Sequence, residues 1–219
     1  MTRPDDSRGV PPSFDPEAFR SLVRWRRDVR RFKTDPLQPG QLDRLLDIAD
    51  LAPSVGNSQP WRTMEVTPGS AVRAAVRENF EACNRAAGRA YDDPQTRDDY
   101  SALKLAGFDA APVHLAVFCD HQSDQGRGLG RQTMPEMLDY SCVAMITTLW
   151  YAARTEGVGL GWVSILDARA VTALLDVPAS WALVGYLLLG FPLEDHADPE
   201  LERHGWQERT PAAQRRFKR

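Results

Sequence analysis

Apolar positions recur at helical or strand spacing along most of this chain, and the pattern predicts a series of alternating elements. After Pro16, the residues Phe19, Leu22, Val23 and Trp25 follow helical spacing, with proline at the first turn. Between Pro39 and Ala52 a second helix carries Leu42, Leu45, Leu46, Ile48 and Ala49 opposite Asp43, Arg44 and Asp47, and it should stop before Pro53. Trp61–Val66 reads as a short strand and Ala71–Ala90 as a helix broken by Asp92-Asp93-Pro94. The stretch 91–109 is polar and charged, and suits a helical flap more than core. Val113–Cys119 is a buried strand candidate. Pro135–Glu156 is a long helix with Leu138, Cys142, Met145, Leu149 and Ala153 on one face. Gly159–Ile165 is strand-like, Val171–Leu175 a short helix, and Trp181–Leu189 is apolar almost throughout, as a central strand would be.

Helices outnumber strands, and the strands are too irregularly spaced for a repeated βαβ array, so the fold class is α+β. The organisation expected is a disordered leader over 1–14, then one domain over 15–219 with a lid at about 91–109. The 219 residues are 42% hydrophobic, enough for a sizeable core. The net charge of −3 gives no global pull toward nucleic acid or an acidic membrane. No apolar stretch reaches membrane-spanning length. Cys83, Cys119 and Cys142 are odd in number and far apart, which suggests a reducing cytoplasm rather than a disulfide framework. The spacing of cysteines and histidines matches no standard metal motif, so the expectation is no metal.

Four segments carry candidate chemistry. Arg26-Arg27-Asp28-Val29-Arg30 sets three guanidinium groups around one carboxylate. Arginine forks suit a phosphate or an electron-rich ring edge, whereas the carboxylate repels a phosphate. A carboxylate among arginines should have a depressed pKa and stay ionised. Ala52-Pro53-Ser54-Val55-Gly56-Asn57-Ser58-Gln59-Pro60-Trp61 offers uncharged hydroxyl and amide groups that can read the polar edge of a heterocycle. Gly157-Val158-Gly159-Leu160-Gly161-Trp162-Val163-Ser164 permits close backbone approach to a ligand. Its glycines follow a helix and do not open one, so it is no dinucleotide fingerprint. Arg209, in Gly205–Pro211, offers a late cation. Each segment also has a plain reading: a solvated helix end, an ordinary turn, a buried strand and a solvated tail.

In this order, from about residue 17 to 211, the segments resemble the flavin-dependent nitroreductase family. The resemblance implies a mixed, mainly antiparallel sheet surrounded by helices, and an obligate homodimer with FMN at the subunit interface. The sequences Arg-Arg-Asp-Val-Arg and Gly-Trp-Val-Ser resemble the branch of that family that consumes its flavin. There, reduced FMN and oxygen yield 5,6-dimethylbenzimidazole, the lower ligand of vitamin B12, with release of erythrose 4-phosphate. Reduced FMN is then a substrate, O2 a co-substrate, and a separate flavin reductase the source. The residues so implied are Asp28 and Ser164 as catalytic groups. The implied flavin contacts are Arg26, Arg27, Asp28, Val29, Arg30, Ser54, Asn57, Gln59, Gly161, Trp162, Ser164 and Arg209, with Lys104 and Leu105 reaching in from the lid. The rival readings are an NAD(P)H-dependent nitro- or quinone reductase and a non-catalytic flavin carrier.

Overall fold

The computed structural model describes residues 13–103 and 107–219. Most of the expected leader, and Lys104 and Leu105 of the expected lid, lie outside the described residues. The first helix, α1 (Pro16–Trp25), starts where the Asp15 carboxylate accepts the Glu17 N–H at 2.9 Å, which satisfies one of the helix's free donors. Helix α2 spans Gln41–Ala49. Strand β1 spans Trp61–Glu65 and helix α3 Ala71–Arg89, capped by Ser70. Helix α4 (Pro94–Ala102) and the short α5 (Gly107–Ala110) follow. Strand β2 is Val113–Asp120, helix α6 Met137–Thr155, strand β3 Gly159–Val163, helix α7 Ala168–Leu174, strand β4 Trp181–Gly190 and helix α8 Glu200–Arg203.

The strands form one sheet in the order β1-β2-β4-β3, and all three pairings are antiparallel. Among the described residues a parallel contact enters only through an isolated bridge between Asp28 and Leu160. Strand β4 is interior, as its continuous apolar run predicts. Alternation along the strands sorts the core into two layers. Leu115, Val117, Cys119, Leu187 and Leu189 face α2 and α6, where they meet Leu45, Leu138, Cys142, Met145 and Leu149. Ala116, Phe118, Tyr186 and Leu188 face the other side, against Val76, Phe80, Phe108 and Val171. A fully buried leucine contributes roughly 1.5–3 kcal/mol, so these layers hold most of the fold's stability.

One expectation needs correction. The stretch 91–109 is not flap throughout. Phe108 is buried, stacked on Tyr186 and tilted against Phe80, so the end of the polar segment anchors in the second core layer. Beneath it His114 is fully buried. The Tyr186 hydroxyl lies 2.9 Å from Nδ1, and Nε2 lies 3.0 Å from the Phe108 carbonyl. Both ring nitrogens are satisfied only if Nε2 carries the proton and donates to the carbonyl. Burial, with Arg73 adding to it, pushes the His114 pKa down to about 3.

Candidate functional site

The segment after α1 does not continue as helix. It runs extended along the free edge of β3. The Val29 N–H donates to the Leu160 carbonyl at 3.0 Å. One residue earlier, the Asp28 carboxylate accepts the Trp162 N–H through Oδ1 at 2.9 Å. A side chain thus does what a strand carbonyl would do. The glycines of β3 make this possible. A Cβ on Gly161 would stand 2.3 Å from the Val29 carbonyl oxygen, and one on Gly159 2.7 Å from a Val29 methyl. The close approach expected toward a ligand is therefore, in part, an approach to the chain itself.

Asp28, Val29 and Arg30 form a wall shared by two pockets. The first, of about 130 Å³, is lined also by Phe80, Phe108, Gly161, Trp162, Ser164 and Leu188. Ser164 stands exposed at its mouth. The second, on the other side of the wall, is bordered by Arg26, Arg27, Trp150 and Glu200. Six of the expected residues (Asp28, Val29, Arg30, Gly161, Trp162 and Ser164) thus converge on the first pocket. Arg26 and Arg27 border the second.

The electrostatics of the wall reverse one expectation. The Asp28 carboxyl has its pKa raised, not depressed. About 39% of its side-chain surface is open, toward the two pockets it borders. Desolvation there outweighs the Trp162 N–H and Arg30, both of which favour the charged form. Among the described residues Arg30 is the nearest cation, with Nε 3.4 Å from Asp28 Oδ2 and 3.8 Å from Glu200 Oε2. Its Nη1 is buried and has no partner among the described residues. An unmet guanidinium N–H in such a place is a donor available to a ligand.

The other arginines are more committed than the sequence suggests. Arg27 gives Nε and Nη2 to the Ala197 carbonyl at 2.9 and 2.7 Å, and Nη1 to the Arg26 carbonyl. Burial lowers its pKa, and the positive charges of Arg26 and Arg209 lower it further. Arg209 thus acts on the cluster through its charge despite its distance in sequence. Arg26 lies 4.5 Å over the Trp150 ring, a cation–π contact, and the Trp150 indole N–H donates to the Arg27 carbonyl at 3.2 Å.

Ser54, Asn57 and Gln59 do not line either pocket. Ser54 Oγ accepts the Gln59 N–H at 3.1 Å. Gln125 donates from Nε2 to the Gln59 side-chain oxygen at 2.7 Å and to the Asn57 carbonyl at 3.0 Å. Their loop borders a separate open depression with residues 125–133. It holds Gly56, Asn57 and Gln59 at positive φ, a conformation rare for residues with side chains. Within one chain, then, the two groups of expected flavin contacts stay apart.

Trp150, Glu200, Phe80, Phe108 and the Ala197 carbonyl escaped the sequence reading. Glu200 and Ala197 lie about 170 residues from the arginines they meet, and nothing local marks them. Trp150 carried a signal, as the tryptophan near the end of a largely apolar helix.

Comparisons with known proteins bear on this geometry. The sequence pattern described as the Nitroreductase family matches residues 23–191. A 5,6-dimethylbenzimidazole synthase of Rhodospirillum rubrum is 55% identical over 203 residues, 91% of this chain and 95% of that protein. One from Rhodobacter capsulatus is 47% identical over 195 residues, 89% of this chain and 93% of its own. Among solved structures, oxidised iodotyrosine deiodinase bound to FMN and 3-iodo-L-tyrosine superposes with a TM-score of 0.67 at 23% identity, over 81% of this chain and 91% of that one. A nitroreductase-like protein in complex with FMN from Desulfovibrio desulfuricans gives a TM-score of 0.63 at 18% identity, over 94% and 98%.

Proposed function

The chain belongs to the nitroreductase family, and we propose that within it the chain is an aerobic 5,6-dimethylbenzimidazole synthase, consuming reduced FMN and O2 and releasing erythrose 4-phosphate. The observation that carries this reading is the Asp28 carboxylate, held on a pocket wall by the Trp162 N–H and Arg30. The identity of 55% and 47% to relatives of that name supports it.

The residues present fit a flavin. Arg30 offers a buried N–H, unmet among the described residues, for an electron-rich edge. Phe80, Phe108 and Leu188 give an apolar wall for a ring. Arg26, Arg27 and Arg209 concentrate positive charge for a phosphate. Reduced FMN, when bound, supplies both the electrons for oxygen and the carbon skeleton of the product. The chain's own work is to bind, to orient and to move protons. Asp28 Oδ2 takes a proton from the ribityl chain, at a hydroxyl or a carbon. Its raised pKa makes it a stronger base than an ordinary aspartate, which suits that role. Ser164 hydrogen-bonds at the ring edge where protons come and go.

A pocket of about 130 Å³ is small beside the roughly 300–1,000 Å³ of typical ligand sites. A second copy of the chain would complete it, contributing the loop with Ser54, Asn57 and Gln59. Helix α6 supports a homodimer, because it is apolar on its outer face as well: Tyr140 and Val143 are exposed there, and Phe19 and Trp25 of α1 are exposed nearby. The reaction belongs to the cytoplasm, where the free thiols stay reduced, with a separate reductase delivering reduced FMN.

The test is to mix the chain with reduced FMN in air and follow product and chromophore. Appearance of the benzimidazole with loss of the flavin spectrum is expected. Steady NAD(P)H oxidation against a nitroaromatic with the flavin intact would replace this reading by a reductase. Binding without either reaction would leave a carrier.

A further inference from the structure

The clearest group of metal-capable side chains among the described residues lies away from the flavin pocket. The ligand atoms of Cys119, His121 and Asp139 are all within 4.8 Å of one another, and none of the three residues lines either pocket that Asp28 borders. They come from two elements. Cys119 and His121 sit two apart at the end of β2, and Asp139 is in the first turn of α6, so spacing along the sequence hides the cluster. His121 Nε2 and Asp139 Oδ1 are 3.0 Å apart.

We propose that Cys119, His121 and Asp139 form a divalent transition-metal site of the zinc class. The donor set is one thiolate sulfur, one imidazole nitrogen and one carboxylate oxygen, which is borderline-soft and suits Zn²⁺ or Co²⁺ rather than Mg²⁺ or Ca²⁺. Metal–ligand bonds of about 2.0–2.3 Å in a tetrahedron put neighbouring donors about 3.3–3.8 Å apart. The spacings here, all within 4.8 Å, therefore need adjustments of up to about 1.5 Å, within the reach of side-chain rotation. Burial fits as well. Cys119 is fully buried and forms the floor, while His121 and Asp139 are 43% and 39% exposed and leave a path from solvent. Water fills the fourth position. Cys142 follows Asp139 by one helical step and is buried beside Cys119, a second sulfur in reserve. A metal here ties the end of β2 to the start of α6, outside the flavin chemistry.

The experiment titrates Co²⁺ and then Zn²⁺ into the untagged, full-length, reduced protein. One Co²⁺ per chain should bind, with a sulfur-to-cobalt charge-transfer band and the intense visible bands of a four-coordinate ion. Zn²⁺ should displace it and raise the melting temperature by ~5–10 °C at a hundredfold excess over its dissociation constant. His121→Ala and Asp139→Asn, on the exposed rim where folding is safest, should each weaken binding at least tenfold. Cys119→Ser should abolish the sulfur band, and Cys83→Ser should leave it unchanged. No sulfur band, or a band that survives both rim variants, would overturn the site.

Discussion

The arginine segment at 26–31 and the loop at 52–61 both look like flavin contacts in the sequence, but the fold prepares them differently. In the segment the tension is electrostatic. A carboxylate is desolvated among guanidiniums, and Arg30 keeps a buried N–H unmet among the described residues. In the loop most polar groups are satisfied internally, and the tension sits in the backbone, with Gly56, Asn57 and Gln59 all at positive φ. A charged site keeps its capacity for a ligand in unspent interactions. A neutral one holds its shape through strained turns. The first should respond to chemistry and pH, the second to changes in backbone freedom.

The largest expected effect tests the electrostatic half. Asp28→Asn should lower the rate of benzimidazole formation by about 10²–10⁴-fold in single-turnover assays. FMN affinity should stay near the parent's. Because burial raises the pKa of Asp28, the native state holds a proton there more tightly than the unfolded chain does. That contribution to stability is lost as pH rises through the folded pKa. The Asn variant should therefore melt no lower than the parent at neutral pH. A clear fall in melting temperature would mean that Asp28 is mainly structural.

His114 provides a yardstick for how far burial, with a cation nearby, can shift a titration. Its pKa is depressed to about 3, so the stability it confers is full above the unfolded value near 6.5 and is lost as pH falls toward 3. Denaturant unfolding should show a loss of about 1.4 kcal/mol per pH unit across that window. His114→Gln should flatten the dependence. Arg30→Ala comes next. Removing a charged hydrogen-bond donor of about 1.5–3 kcal/mol should weaken FMN binding roughly 10–100-fold in a fluorescence titration. The smallest effect belongs to the loop. Gly56→Ala forces a Cβ to 3.0 Å from the Leu129 carbonyl oxygen at positive φ, and should cost about 1–2 kcal/mol in thermal unfolding. If Gly56→Ala instead abolished FMN binding while Arg30→Ala did not, the contrast between the two regions would be inverted.

The sequence showed the frame of the fold well and the site in part. Strand β4 and helix α6 were legible because their apolar runs are long and their periods unambiguous. The residues around Asp28 were legible as a group, since Arg26–Arg30 and Gly161–Ser164 are contiguous. The sign of the Asp28 shift was not. It is a sum over groups from β3, α8 and the walls of a cleft, and desolvation has no sequence pattern. Phe108 was misjudged for a related reason: the polar residues before it describe the segment's exposed part, and one aromatic at its end decides where it is anchored. Glu200 could not be anticipated as a partner of Arg30 and Arg31, because their pairing exists only after the sheet has brought the C-terminal region back across β3.

The bond from the Trp162 N–H to Asp28 also has a spectroscopic consequence. The backbone amide of an edge strand is closed by a side chain that can take up a proton, so its chemical shift and solvent exchange follow the charge on that carboxylate. Trp162 is thus a built-in gauge. Its amide resonance, followed across pH, reads out the ionisation of Asp28 without any substitution at the site.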